Sequence, residues 1–216
     1  MAVISLSAVL GACAPLVLGG AAVGTALVAT DRRSSGAQLD DQSIELRASN
    51  RLRDQVGGRA NVSVTSYNRQ VLLTGEANSE ATRAEVEKIV AGVDNVRSTV
   101  NEVKVMNSPG LSQRTSDTLI TGRVKAGFVD ARDLPVTAIK VTTTHAIVYL
   151  MGRVTQREAD RATEIARNVD GVQRVVRIFE ILTEEELQRL APAPAVQPAP
   201  AAGTTPGAAP GAAPRQ

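Results

Sequence analysis

Few side chains in this 216-residue sequence are equipped for covalent or acid–base chemistry. There is one cysteine, Cys13, and one histidine, His145. A single thiol cannot close an intrachain disulfide. A single imidazole cannot build a multi-histidine metal site, and it argues against histidine-based acid–base catalysis. No nucleophile beside a base, no phosphate-cradling glycine loop and no paired-carboxylate motif stands out. The sequence therefore reads as a non-enzymatic protein that needs no cofactor and no metal. A formal charge of +2 is too small to imply a nucleic-acid partner. What remains is the thiol of Cys13 and the surface chemistry of Leu119, Arg123 and Lys125. An apolar tip beside cations could sit at a lipid headgroup layer.

Cys13 follows Leu10-Gly11-Ala12 in a stretch, residues 1–30, with no charged side chain. This resembles a bacterial lipobox. There a peptidase needs small residues at the two positions before the cut, and the thiol just after it carries a diacylglycerol. Gly11, Ala12 and Cys13 meet those needs. The departure is a missing basic n-region, since Met1 to Leu6 holds no Lys or Arg. Either the true start lies upstream or the signal is atypical. Two alternatives share the segment. Met1 to Thr30 is long enough for a transmembrane anchor, which takes roughly 20 apolar residues, although Pro15, Gly19, Gly20 and Gly24 weaken a simple helix. A cleaved soluble form is the other. If Cys13 is lipidated, Ala14 in place of Asp points to the outer membrane, by analogy with enterobacterial sorting.

The rest of the chain is organised by a unit that occurs twice. Each copy reads as helix, strand, tight turn, strand, helix, strand. In the first, Ile44, Ala48, Leu52 and Val56 recur every four residues on one helix face, after N-cap candidates Asp40, Asp41 and Ser43. Val62 and Val64, then Val71 and Leu73, alternate along two strands around Asn68, a residue suited to a turn. Gly75 is expected to end the second strand. A second helix with Ala81, Val86, Ile89 and Val90 inward should stop at Gly92, and a third strand runs from Val96 to Val105. The second copy repeats this at spacings of 76 and 77. Val64, Val71 and Gly75 match Val141, Val148 and Gly152, and Gly92 matches Asn168. Glycine and asparagine are the residues that best tolerate a left-handed C-cap, so this pair is expected to take positive φ. Thr155 and Glu158 read as a capping box. A strand–helix–strand crossover makes the last strand parallel to the second. The fold class is therefore α+β, two tandem αββαβ units, each a three-stranded mixed sheet with two helices on one face.

Val71-Leu72-Leu73-Thr74-Gly75, Val148-Tyr149-Leu150-Met151-Gly152, and Gly92 to Val96 with Val169 to Val172 resemble the motifs of tandem BON domains. With Cys13 in front, the chain is similar to dual-BON outer-membrane lipoproteins across about residues 10–182. The resemblance implies binding to anionic phospholipid and support of outer-membrane integrity and division-site processes. The expected organisation is a signal peptide at 1–12, a lipidated Gly/Ala-rich linker at 13–39 and domain 1 at 40–106. A linker at 107–114 and domain 2 at 115–183 follow, then a short helix and a disordered Ala/Pro/Gly-rich tail at 184–216. The short connection implies that the domains touch.

Within that frame domain 2 is the better candidate for binding. It carries ten basic and eight acidic residues over 116–181, against nine of each over 41–105. Leu119, where the first copy has Ser43, shares a helix stripe with Arg123, and Lys125 lies elsewhere on the same helix. The competing reading packs Leu119 against the linker or the other domain, and the off-face Leu46 of the first copy supports it. The partners expected are an anionic phospholipid membrane and envelope proteins, for a monomer. The competing function is a periplasmic adaptor that docks on envelope-assembly or cell-wall-remodelling proteins. His145 falls in the second hairpin turn and reads as a solvated turn residue rather than a pH sensor.

Overall fold

The computed structural model describes residues 31–106 and 111–190. Cys13 and the tail beyond Leu190, with the expectations placed on them, lie outside the described residues. The first unit runs α1 (Ser35–Gln55), β1 (Ala60–Tyr67), β2 (Gln70–Ala77), α2 (Glu80–Ala91) and β3 (Ser98–Val105). The second runs α3 (Leu111–Asp130), β4 (Ile139–Thr144), β5 (Ile147–Val154), α4 (Gln156–Arg167) and β6 (Arg174–Ile181), with α5 (Glu184–Leu190) after it. Each sheet has its second strand in the middle, antiparallel to the first and parallel to the third. The α+β fold of two αββαβ units is thus as the sequence implied.

Two helices cover one face of each sheet. In the first unit Ile44, Ala48 and Leu52 of α1 and Val86 and Val90 of α2 close over Val71, Leu73 and Val103. In the second, Ile120, Val124 and Phe128 of α3 and Ala159, Ala162 and Ala166 of α4 close over Val148 and Leu150. The opposite faces of the two sheets pack on each other. Tyr67 and Leu72 from the first meet Ile147, Tyr149, Met151 and Ile178 from the second. The central strands β2 and β5 are therefore buried on both sides. This explains why Val71 to Leu73 and Ile147 to Met151 are unbroken apolar runs rather than alternating ones.

Several local expectations change. α1 is capped by Ser34, whose side chain accepts from Ala37 N, and not by Asp40, Asp41 or Ser43. α3 begins at Leu111, inside the stretch read as a linker. Ala81 is exposed and Thr82 takes the inward position, because Thr82 and not Ala81 lies one turn before Val86. Gly75 and Gly152 do not end their strands, which continue to Ala77 and Val154. They are needed because the neighbouring strand comes too close for a side chain. A Cβ at Gly75, where φ is 124°, would strike the Asn61 carbonyl, and one at Gly152 the Ala138 carbonyl. Gly92 and Asn168 have negative φ, −86° and −85°, so neither is a left-handed cap. The left-handed residues come three positions later, at Asn95 (φ 69°) and Gly171 (φ 92°), where the chain turns into the third strand.

Candidate functional site

The face of α3 that turns away from its sheet carries Leu119, Gly122, Ala126 and Val129. A spacing of three, then four, then three residues puts them in one stripe. All four are exposed, with Leu119 57% and Val129 64% accessible. Ile120, Val124 and Phe128 occupy the opposite, buried side. Leu119 therefore does not pack on the other domain. Arg123, one turn on, edges the stripe and is held by a hydrogen bond of 3.4 Å from its Nη1 to the Asp170 carbonyl. Lys125 is about 120° round the helix from Leu119. It lines a groove of about 480 Å³ with Arg33, Tyr67, Phe128, Val129 and Lys140. So Leu119 and Arg123 share one edge, and Lys125 flanks the stripe on the other. The corresponding face of α1 also exposes leucines, Leu39 and Leu46. Arg47 and Arg51 on that helix are spent on Asp94 and the Gly92 carbonyl.

The segment before α1 joins the two units at the end of that groove. The Arg32 guanidinium makes a two-pronged contact with Glu158, at 2.7 and 2.9 Å, and donates to the Arg153 carbonyl. Arg153 returns a hydrogen bond to the Arg32 carbonyl. Burial opposes ionisation of Glu158, but hydrogen bonds from Arg32 and from Thr155 N prevail and hold its carboxyl below the usual glutamate range. Thr155 and Glu158 form the capping box read from the sequence. Arg33 stacks over Tyr67 at 4.4 Å and pairs with Asp31 and Asp41. Tyr67 is buried between the units, and its hydroxyl donates to the Ala138 carbonyl. That burial pushes the phenol up to about 12.

Two carboxylates do work that sequence reasoning missed. Both hairpin turns are built from non-glycine residues at positive φ, Asn68 and Arg69 in one, His145 and Ala146 in the other. Such two-residue turns favour Gly or Asn, so these conformations need support. Asp41, 2% exposed, accepts hydrogen bonds from Asn68 N, Arg69 N and Ser66 Oγ. Asp117 accepts from His145 N and Ala146 N. The signal was present as the same residue type 76 positions apart on the two first helices. It was masked because Asp41 also suits a cap.

His145 is not solvated. Its turn tip packs against the far end of β2, leaving the side chain 11% exposed with Nε2 3.1 Å from Glu76 Oε1. At the opposite end of the interface Glu180 accepts from Asn68, Arg97 and Arg153. Desolvation raises its pKa, but these three partners outweigh that and keep the carboxyl below its usual range. Glu102 likewise meets Arg174 and the Tyr149 hydroxyl across the interface. Among the described residues no group of three or more His, Cys, Asp or Glu is placed to hold a metal ion.

The BON domain model matches residues 40–107 and again 116–182. The chain is 35% identical over 173 residues to the Haemophilus influenzae protein named outer membrane lipoprotein DolP, covering 79% of this chain and 89% of the relative. It is 34% identical over 151 residues to the 21 kDa hemolysin of Actinobacillus pleuropneumoniae, covering 69% and 78%. It is 32% identical over 144 residues to the osmotically-inducible protein Y of Escherichia coli, covering 65% and 72%.

Proposed function

This chain belongs to the BON-domain family, and from that premise we propose that it is a non-enzymatic, lipid-anchored protein of the outer membrane that binds anionic phospholipid through its second domain. The observation that carries the lipid reading is the exposed stripe of Leu119, Gly122, Ala126 and Val129, flanked by Arg123 and Lys125. Small residues let the helix backbone approach the headgroup layer while Leu119 and Val129 reach below it. Each cation near an anionic surface contributes roughly 1 kcal/mol, and burying a leucine or valine side chain about 1.5–3 kcal/mol. The proposed diacylglycerol on Cys13 keeps domain 2 close to the bilayer, so even this modest surface affinity is effective. The contact supports envelope integrity and division-site processes by holding the domains at anionic lipid.

Flotation of the full chain with liposomes tests the surface. In the Cys13→Ser background, which removes the proposed lipid anchor, Leu119→Glu with Arg123→Glu should abolish co-flotation with anionic vesicles at low salt and leave the thermal midpoint unchanged. Undiminished flotation of that variant would remove the lipid reading. Mass spectrometry of the mature N-terminus tests the anchor separately, and an unmodified Cys13 in an intact chain would refute it.

A further inference from the structure

The hairpin registers identify which backbone groups of the sheet edges are free. Thr144 and Ile147 close the second turn as a hydrogen-bonded pair, so Thr144, Thr142 and Lys140 bond to β5. The N–H and C=O groups of Val141 and Thr143 then point outward, away from the sheet. β4 pairs with no other strand, and no hydrogen bond among the described residues fills that edge. At the matching edge of β1 the outward groups of Ser66 are taken, since Ser66 N donates to Glu45 and the Ser66 carbonyl accepts from Lys140.

The open edge of β4 runs along two grooves that share Val141. One, about 350 Å³, is bounded by Arg114, Thr118 and Thr121 of α3 and by Asn61 and Ser63 of β1. The other, about 480 Å³, is the groove that holds Lys125 and Tyr67. An unpaired strand edge with a wall on each side is the geometry by which an extended peptide adds to a sheet.

The charge along the grooves selects the occupant. Among the described residues Arg114 and Lys125 make no ion pair, whereas Arg33 and Lys140 are taken by Asp41 and Glu45. The carboxylates nearby are also engaged. Asp117 holds the turn, and Glu76 accepts from Asn61 and faces His145. Arg114 and Lys125 are eleven residues apart on α3, about 16 Å. Acidic side chains four residues apart on one face of a strand lie about 13 Å apart, a gap that long side chains close. We infer that the β4 edge is a strand-addition site for an extended segment of a partner protein, with acidic residues at i and i+4 that meet Lys125 and Arg114. This site is distinct from the outer stripe of α3 and shares Lys125 with it.

Amide hydrogen exchange by NMR tests it. The material is the full-length chain, ¹⁵N-labelled in neutral detergent micelles. The probe is a blocked seven-residue peptide of alternating Val and Thr with Glu at its second and sixth positions. Val141 and Thr143 should exchange faster than Thr142 in the free protein and slow at least tenfold with the peptide. A peptide with Lys in place of Glu should leave them unprotected. Arg114→Glu with Lys125→Glu should reverse that preference. The inference is overturned if Val141 and Thr143 are already protected, or if neither peptide, or both equally, protects them. It also fails if anionic vesicles protect them and the acidic peptide does not, because the membrane is then the occupant.

Discussion

Replacing Asp41 should be among the most damaging single changes in the first domain, and its cost can be worked from its partners. Its carboxylate is 2% exposed and receives Ser66 Oγ at 2.7 Å, Asn68 N at 2.8 Å, Arg69 N at 2.7 Å and Arg33 Nη1 at 2.8 Å. In Asp41→Ala the turn amides and the Ser66 hydroxyl lose their acceptor. A buried polar group left without a partner costs about 1–3 kcal/mol. Arg33 keeps Asp31, so it adds little. The turn residues, held at φ 51° and 65°, also lose the contact that compensates their strain, itself on the order of 1 kcal/mol each. Some relaxation toward water reduces the sum, and the net loss should be about 3–5 kcal/mol. For a chain of this size that lowers the thermal midpoint by roughly 6–20 °C. Asp41→Asn, which keeps one acceptor oxygen, should lose about half as much. Arg69→Gly should restore about 1 kcal/mol in the Ala background, because glycine takes positive φ without strain. Calorimetry gives the midpoints, and exchange of the Asn68 and Arg69 amides gives the local effect. A loss below 1 kcal/mol for Asp41→Ala, with those amides still protected, would refute the assignment of the turn to this carboxylate.

Other outcomes follow from the same packing. The Glu158 carboxyl is held below the ordinary glutamate range, so the unfolded chain takes up that proton first as pH falls. The Arg32–Glu158 contribution is therefore complete above the ordinary glutamate value and lost as pH drops through the depressed one. Denaturation midpoints of Glu158→Gln should fall less steeply than wild type in that acid range. Gly152→Ala should destabilise by more than 2 kcal/mol, because its Cβ meets the Ala138 carbonyl and not a flexible side chain. Gly92→Ala, measured beside it in urea, should be nearly neutral, since Gly92 has negative φ and only ordinary contacts. Met151→Ala opens a cavity between the sheets and should cost about 2–5 kcal/mol. Exchange should then rise in both units, and a change confined to the second would show that the sheets do not stabilise each other.

The helix faces and strand order were legible because each rests on a local period. Ile44, Ala48 and Leu52 recur with the helix turn, and Val62, Val64, Val71 and Leu73 with the strand pleat. The candidate site was legible in part. Leu119 and Arg123 could be placed on one stripe by counting, whereas Gly122, Ala126 and Val129 were passed over because small or isolated apolar residues carry little signal alone. The left-handed positions were misassigned by three residues. Composition gives the residue types that tolerate positive φ, but which one adopts it depends on how the chain leaves the helix.

What the sequence by itself determined is the doubled αββαβ unit, its family and the chemistry available to it. Those depend on residue type and spacing, and both are properties of the chain alone. What only the tertiary structure decided is how the units meet. The partners across the sheets, Tyr67 with Ala138, His145 with Glu76 and Glu180 with Asn68, are separated by 71, 69 and 112 residues. No local period encodes such contacts. They arise because each sheet has a second apolar face that its own helices leave uncovered, and the other copy covers it.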